Sequence, residues 1–167
     1  MRTALLIVGM AALLSVASVM VVVRFAQIRP EDWHVWPQAL VPDSAGWQNW
    51  VLYPPGDTDG PVLMPGGAYA LKIVAGTSAA DVLRKLDRIA LSFPRTARVG
   101  GRPEDGMMTW ITRSALWGFP DFTTAEVARD GLWFRIAVVA RQRYGQGDLG
   151  VNAARLSHWL TALDQTS

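Results

Sequence analysis

The chain contains no cysteine and only two histidines in 167 residues. Without a thiol there is no disulfide scaffold, no thiolate zinc site and no thiol catalysis, and His34 and His158 lie too far apart to form a metal-ligand motif. An excess of one charge is missing too. There are 16 Lys+Arg against 14 Asp+Glu, and Arg2 and Arg24, at the two ends of one apolar block, make up the whole difference. Everything beyond that block is formally neutral, which excludes a dedicated nucleic-acid binder. The low charged fraction of 18% beside 50% apolar residues excludes an intrinsically disordered chain. No G-x-S-x-G, no Walker loop and no Ser–His–carboxylate arrangement occurs. The acidic pairs Asp57/Asp59 and Glu104/Asp105 fall in predicted loops and read as solvated turns.

One nucleotide-like motif does occur, Gly145-Gln146-Gly147-Asp148-Leu149-Gly150, a literal G-x-G-x-x-G between a predicted strand and a predicted helix. Only 17 residues follow it, so no second parallel strand can complete a βαβ unit, and Asp148 would set a carboxylate where a pyrophosphate should lie. The motif reads as a turn in which Asp148 caps the last helix. No nucleotide and no cofactor is expected.

The apolar block itself, Ala4 to Val23, is interrupted only by Gly9, Ser15 and Ser18. About 20 helical residues cross a ~30 Å hydrocarbon core. Ser15-Val16-Ala17 imitates a signal-peptide cleavage site, but the apolar run continues to Val23 and exceeds a signal core, so an uncleaved anchor over residues 1–28 is expected. Basic residues on the two sides barely differ, and a two-residue tail is easily left inside. The expected location is therefore a bacterial inner membrane, crossed once, with the domain in the periplasm. Ala11, Ser15 and Ser18 share one helical face that would admit a neighbouring helix.

Seven of the ten prolines lie between residues 30 and 67, with Gly56, Gly60, Gly66 and Gly67. Proline fixes φ and removes a donor, so this stretch excludes long helices and central strands. Residues 29–67 read as an arm lying along the domain or the membrane. Trp33, Trp36, Trp47 and Trp50, half of the eight tryptophans, lie in it and suit either a headgroup layer or a domain edge.

Residues 68–167 read as one α+β domain. Ala68 to Ala75 suits a strand; Ser78, with Asp81 three residues on, starts a helix carrying Val82, Leu86, Ile89, Ala90 and Phe93 on one stripe and ending before Pro94. Four strands follow, over 95–101, 107–114, 121–129 and 132–143, the last pair joined by the hairpin dipeptide Asp130-Gly131. Leu132, Phe134, Ile136, Val138 and Ala140 should face the core. Leu149, Ala153, Leu156, Leu160 and Leu163 form the stripe of a final helix, with Arg155 and His158 away from it. The order β-α-β-β-β-β-α implies an antiparallel sheet of about five strands with two helices on one face, a two-layer sandwich.

Arg141 and Arg143 share one side of the last strand, and with Arg113 or Arg135 nearby they could bind a small anion beside the last helix. Asp148 could instead pair with those arginines. Asn152, near the apolar stripe, would need partners for its amide. These five residues, Arg113, Arg141, Arg143, Asp148 and Asn152, are the expected ligand-binding set; no catalytic or metal-binding residue is expected.

Phe93-Pro94-Arg95-Thr96, Thr109-Trp110-Ile111-Thr112-Arg113-Ser114, Trp117-Gly118-Phe119-Pro120-Asp121-Phe122 and Ala140-Arg141-Gln142-Arg143-Tyr144-Gly145, with Asp148-Leu149-Gly150-Val151-Asn152, resemble the bacterial and plastid family catalogued as domain of unknown function 1499. The resemblance covers about Ala68 to Leu163, and Trp33-His34-Val35 is similar to the segment after the anchor in membrane-bound members. Val41-Pro42-Asp43-Ser44 lacks the cysteine of the Pro-Asn-Cys element found in many members. The resemblance implies one domain with an anchor and carries no activity. The expected function is a non-enzymatic, membrane-anchored accessory subunit that contacts the lipid bilayer and binds or stabilises a membrane-protein partner. The alternative is binding of a small anionic or lipid ligand, or weak hydrolysis, at the arginines.

Overall fold

A computed structural model of the chain describes residues 1–37, 62–64, 67–144 and 149–166. Helix α1 (Arg2–Phe25) is long and apolar enough to cross a membrane. It is followed by a short 3₁₀ turn (Pro30–Asp32), with Pro30 at its first position where a missing N–H costs nothing. The strands are β1 (Val62–Met64), β2 (Gly67–Val74), β3 (Thr96–Arg102), β4 (Met107–Arg113), β5 (Pro120–Asp130) and β6 (Trp133–Gln142), and the remaining helices are α2 (Ala79–Ser92) and α3 (Val151–Gln165). All strands pair antiparallel in the order β1-β2-β6-β5-β4-β3. Helices α2 and α3 pack against the sheet, giving the expected α+β fold. The three-residue β1 lies within the proline-rich stretch and is tolerated there because it is an edge strand.

Local chemistry explains the boundaries. Ser78 Oγ accepts the backbone N–H of Asp81 at 3.0 Å and caps α2, whose Val82, Leu83, Leu86 and Ala90 are buried. Period-two alternation places Met108, Trp110, Ala125, Val127, Phe134, Ile136 and Val138 against the helices, where Leu156, Trp159 and Leu163 meet them. Trp110 packs edge-on to Trp159 with ring centroids 5.6 Å apart.

Three expectations about single residues are corrected. Leu132 is 89% exposed, because the paired positions are Asp130 and Trp133 and the hairpin loop is Gly131-Leu132, with Gly131 at φ 61° as a primed turn requires. Leu149 is fully exposed at φ 51°, since α3 begins only at Val151. Arg155 is buried against the sheet rather than turned to solvent: its guanidinium lies 3.6 Å from the Asp121 carboxylate and bonds the Asn152 carbonyl oxygen.

Candidate functional site

The second sheet face, opposite the helices, is covered in part by the segment that leaves α1. Trp33 lies flat on Phe122, with centroids 3.9 Å apart and planes 13° apart. Its carbonyl accepts hydrogen bonds from Arg141 Nη2 at 2.5 Å and Thr124 Oγ1 at 3.2 Å, and the Arg141 guanidinium stands over the Trp33 ring at 5.3 Å. Next in sequence, His34 Nδ1 meets Thr109 Oγ1 at 2.9 Å, and Thr109 Oγ1 in turn meets Thr124 Oγ1 at 3.0 Å. Gly101 makes this approach possible. It sits at φ 75°, and a Cβ there would collide with the Met107 carbonyl and the His34 ring. Residues 33–34 are therefore latched onto β3, β4, β5 and β6.

Burial has charge consequences on this face. Arg141 is 3% exposed, and desolvation lowers its pKa to about 10, which still leaves it charged at neutral pH. Burial likewise lowers the His34 pKa below 6.5, partly opposed by Asp105. A histidine whose pKa is lower in the folded state favours that state when neutral, so its contribution is complete above about pH 6.5 and is lost as pH falls through the lowered value. Hydrogen exchange of the 30–36 segment should accelerate on acidification from about pH 7 to about pH 5, after correction for intrinsic rates. His34→Gln should abolish that acceleration, and an unchanged pH profile in this variant would exclude His34 as its origin.

The four described ligand candidates, Arg113, Arg141, Arg143 and Asn152, do not share one site. Arg141 is enclosed on the second face. Asn152 is buried beside Arg155 on the helix face, and Asp148 lies outside the described residues. Arg135, considered with them, reaches Asp130 at the far end of the sheet. Arg113 and Arg143 do share one end, the end at which α1 meets the domain. There Arg143 Nη1 donates to the Gln27 carbonyl at 3.1 Å, Arg113 Nη1 to the Gly118 carbonyl at 3.0 Å, and Val23 of α1 is buried. Arg24 packs over Gly118, whose φ of 71° brings the β4–β5 loop close to the helix.

Sequence reading missed Arg24 and Arg95 as members of this end. Arg24, Arg95, Thr96, Arg113, Ser114 and Gly118 line a cleft of about 290 Å³. The available signal was Arg24 closing the apolar block, while nothing local marked Arg95, which takes a left-handed φ of 60°. Beside the cleft stand aromatic rings: Trp117 stacks on Phe119 at 6.2 Å, and Tyr144 tilts against Phe119 at 5.9 Å.

Among curated proteins, none matches the chain. The model of the family described as "Protein of unknown function (DUF1499)" matches residues 67–163, which run from the first residue of β2 to Leu163 of α3 and include Arg95, Arg113, Arg141 and Arg143. With more than half of its length matched, the chain belongs to the DUF1499 family.

Proposed function

We propose that the protein is a non-enzymatic accessory module that spans the bacterial inner membrane once through α1, holds its domain on the periplasmic side, and binds or stabilises a membrane-protein partner at the bilayer surface. The observation that carries this reading is the join between α1 and the domain. Val23 is buried, Arg24 lies on Gly118, the Gln27 carbonyl is held by Arg143 and Trp33 is stacked on Phe122. A free linker would let the domain wander, whereas this join keeps the β4–β5 loop beside the end of the span. Leu116 in that loop is 67% exposed and Trp117 38% exposed, an apolar step just before the Gly118 on which Arg24 packs. On α1, Ser15 Oγ and Ser18 Oγ donate to the carbonyls of Ala11 and Leu14 at 2.9 and 2.8 Å, so the small-residue face offers a partner helix no unmet hydroxyl donor.

Extraction in mild detergent followed by native mass spectrometry tests this reading. The chain should retain one membrane protein at fixed stoichiometry, and Leu116→Ser combined with Trp117→Ser should lower its occupancy by about tenfold or more, the scale of an interfacial anchor residue. A wild-type chain that leaves the membrane carrying no other protein would contradict it.

A further inference from the structure

The geometry points to the cleft between α1 and the β3–β4 edge as a binding site for the phosphate group of an anionic phospholipid. The inference rests on the reading that the β4–β5 loop faces the bilayer, and adds a ligand to it. Three arginines from three places converge there: Arg24 from the last turn of α1, Arg95 from the α2–β3 connection and Arg113 from the end of β4. Ser114 adds a hydroxyl whose oxygen accepts the Phe119 N–H at 2.9 Å, and among the described residues no carboxylate lines the cleft.

The arginines of this cleft differ from four others on the surface in having no acidic partner among the described residues. Arg84, Arg98, Arg102 and Arg135 each face an acidic side chain within 4 Å. Among the described residues, Arg24, Arg95 and Arg113 face none. The neighbouring hollow lined by Arg29 and Arg143 contains Asp32 and is not part of the site. The guanidiniums of Arg95 and Arg113 are positioned by the backbone: Arg95 Nε donates to the Arg113 carbonyl at 3.0 Å, and Arg113 Nη1 to the Gly118 carbonyl at 3.0 Å. Each keeps further N–H groups for an outside acceptor, and a guanidinium fork matches phosphate oxygens. Arg95 holds its place at φ 60°, a conformation costly for a residue with a Cβ.

Depth identifies the ligand. The cleft opens where the apolar helix ends, at Arg24, which is the level of lipid phosphates when α1 spans a bilayer. Trp117 and Tyr144, side chains that favour that layer, stand at the same end of the sheet. A phosphate oxyanion is the shared chemistry of a lipid headgroup and a free phosphate ion, and this depth selects the lipid.

The test uses the full chain reconstituted into nanodiscs of equal parts phosphatidylcholine and phosphatidylglycerol, then transferred to detergent and weighed by native mass spectrometry. Retained phosphatidylglycerol should exceed phosphatidylcholine by about fivefold or more, the weight of one arginine at an anionic surface. Arg95→Gln with Arg113→Gln should return the ratio to that of the bilayer, while Arg95→Lys with Arg113→Lys keeps most of the enrichment. Arg84→Gln with Arg135→Gln, at paired arginines away from the cleft, should leave the ratio unchanged, as melting curves should confirm for the fold of all variants. Inorganic phosphate added to the detergent solution should displace the lipid only in part. Equal retention of the two lipids by the wild type, or enrichment that survives the double glutamine variant, would overturn the site. Complete displacement by phosphate with a phosphate adduct would overturn the lipid assignment. A protein partner retained on mild-detergent extraction from native membranes would leave the proposed function standing if the lipid site fails.

Discussion

Asp87→Ala should lower the stability of the domain by about 2–4 kcal/mol, one of the two largest effects expected of any single polar substitution in the chain. Asp87 lies on the buried side of α2, is 7% exposed, and accepts Trp110 Nε1 at 2.9 Å and Arg98 Nε at 3.1 Å, with Arg98 Nη2 on its second oxygen. Alanine leaves the indole N–H of a fully buried tryptophan without its acceptor and strips Arg98 of its counter-charge. The arginine is half exposed and water takes over much of its solvation, so most of the loss belongs to the indole. Asp87→Asn keeps an acceptor for Trp110 and should cost about half as much. Urea unfolding in detergent, followed by tryptophan emission, reads the difference; equal losses for the two variants would assign the effect to charge rather than to the indole hydrogen bond.

Arg141→Ala should cost a similar amount and also free the 30–36 segment. The guanidinium is enclosed between Trp33 and the sheet, bonds the Trp33 carbonyl and reaches Thr124 Oγ1 at 3.3 Å. Its removal leaves a cavity beneath a stacked tryptophan and deprives the half-buried Trp33 carbonyl of its charged donor, together about 2–4 kcal/mol. Arg141→Lys retains the charge but not the planar group that covers the indole, and should recover less than half of the loss. Because Trp33 and Arg141 act on one another, Trp33→Ala and Arg141→Ala should be less than additive. Hydrogen exchange of residues 30–36 should rise by about tenfold or more in either variant. Additive losses with unchanged exchange would break the link between the two residues.

Most of the sheet was legible in the sequence because burial on one face imposes a period of two over long strands, and a one-residue slip would expose every core side chain. The start of α2 was legible for a local reason, a serine three residues ahead of the N–H that it caps. What covers the second face was not legible. Trp33 meets Thr124 and Arg141 across 91 and 108 residues, and no periodicity links such distant positions. The hint lay in β6, where Ala137 and Val139 share a face with Arg141; a face that carries small apolar residues beside an arginine is consistent with a covering segment. Arg155 was misplaced for a related reason. Three residues after Asn152 and one before Leu156, it flanks the apolar stripe, and a stripe's flank becomes interior when the sheet supplies Asp121 and Thr123 to receive a charge. Of the ligand candidates, adjacency along a strand suggested that Arg141 and Arg143 act together. In the fold both meet the segment that leaves α1, Arg141 enclosed under Trp33 and Arg143 holding the Gln27 carbonyl.

The proposed function requires the latched segment to hold the end of the sheet carrying the β4–β5 loop against the bilayer. The absence of cysteine allows a spin label to be placed at one chosen site in the full chain. Labels at Leu116→Cys, in that loop, and at Leu132→Cys, in the β5–β6 hairpin, are separated by the length of β5, 11 residues or roughly 35 Å at ~3.3 Å per residue. In nanodiscs the label at position 116 should be relaxed by oxygen and shielded from a water-soluble nickel chelate, and the label at position 132 should show the reverse. Arg141→Ala should move the first label towards the aqueous pattern. Equal nickel accessibility at both positions in the otherwise wild-type chain would contradict this placement of the loop.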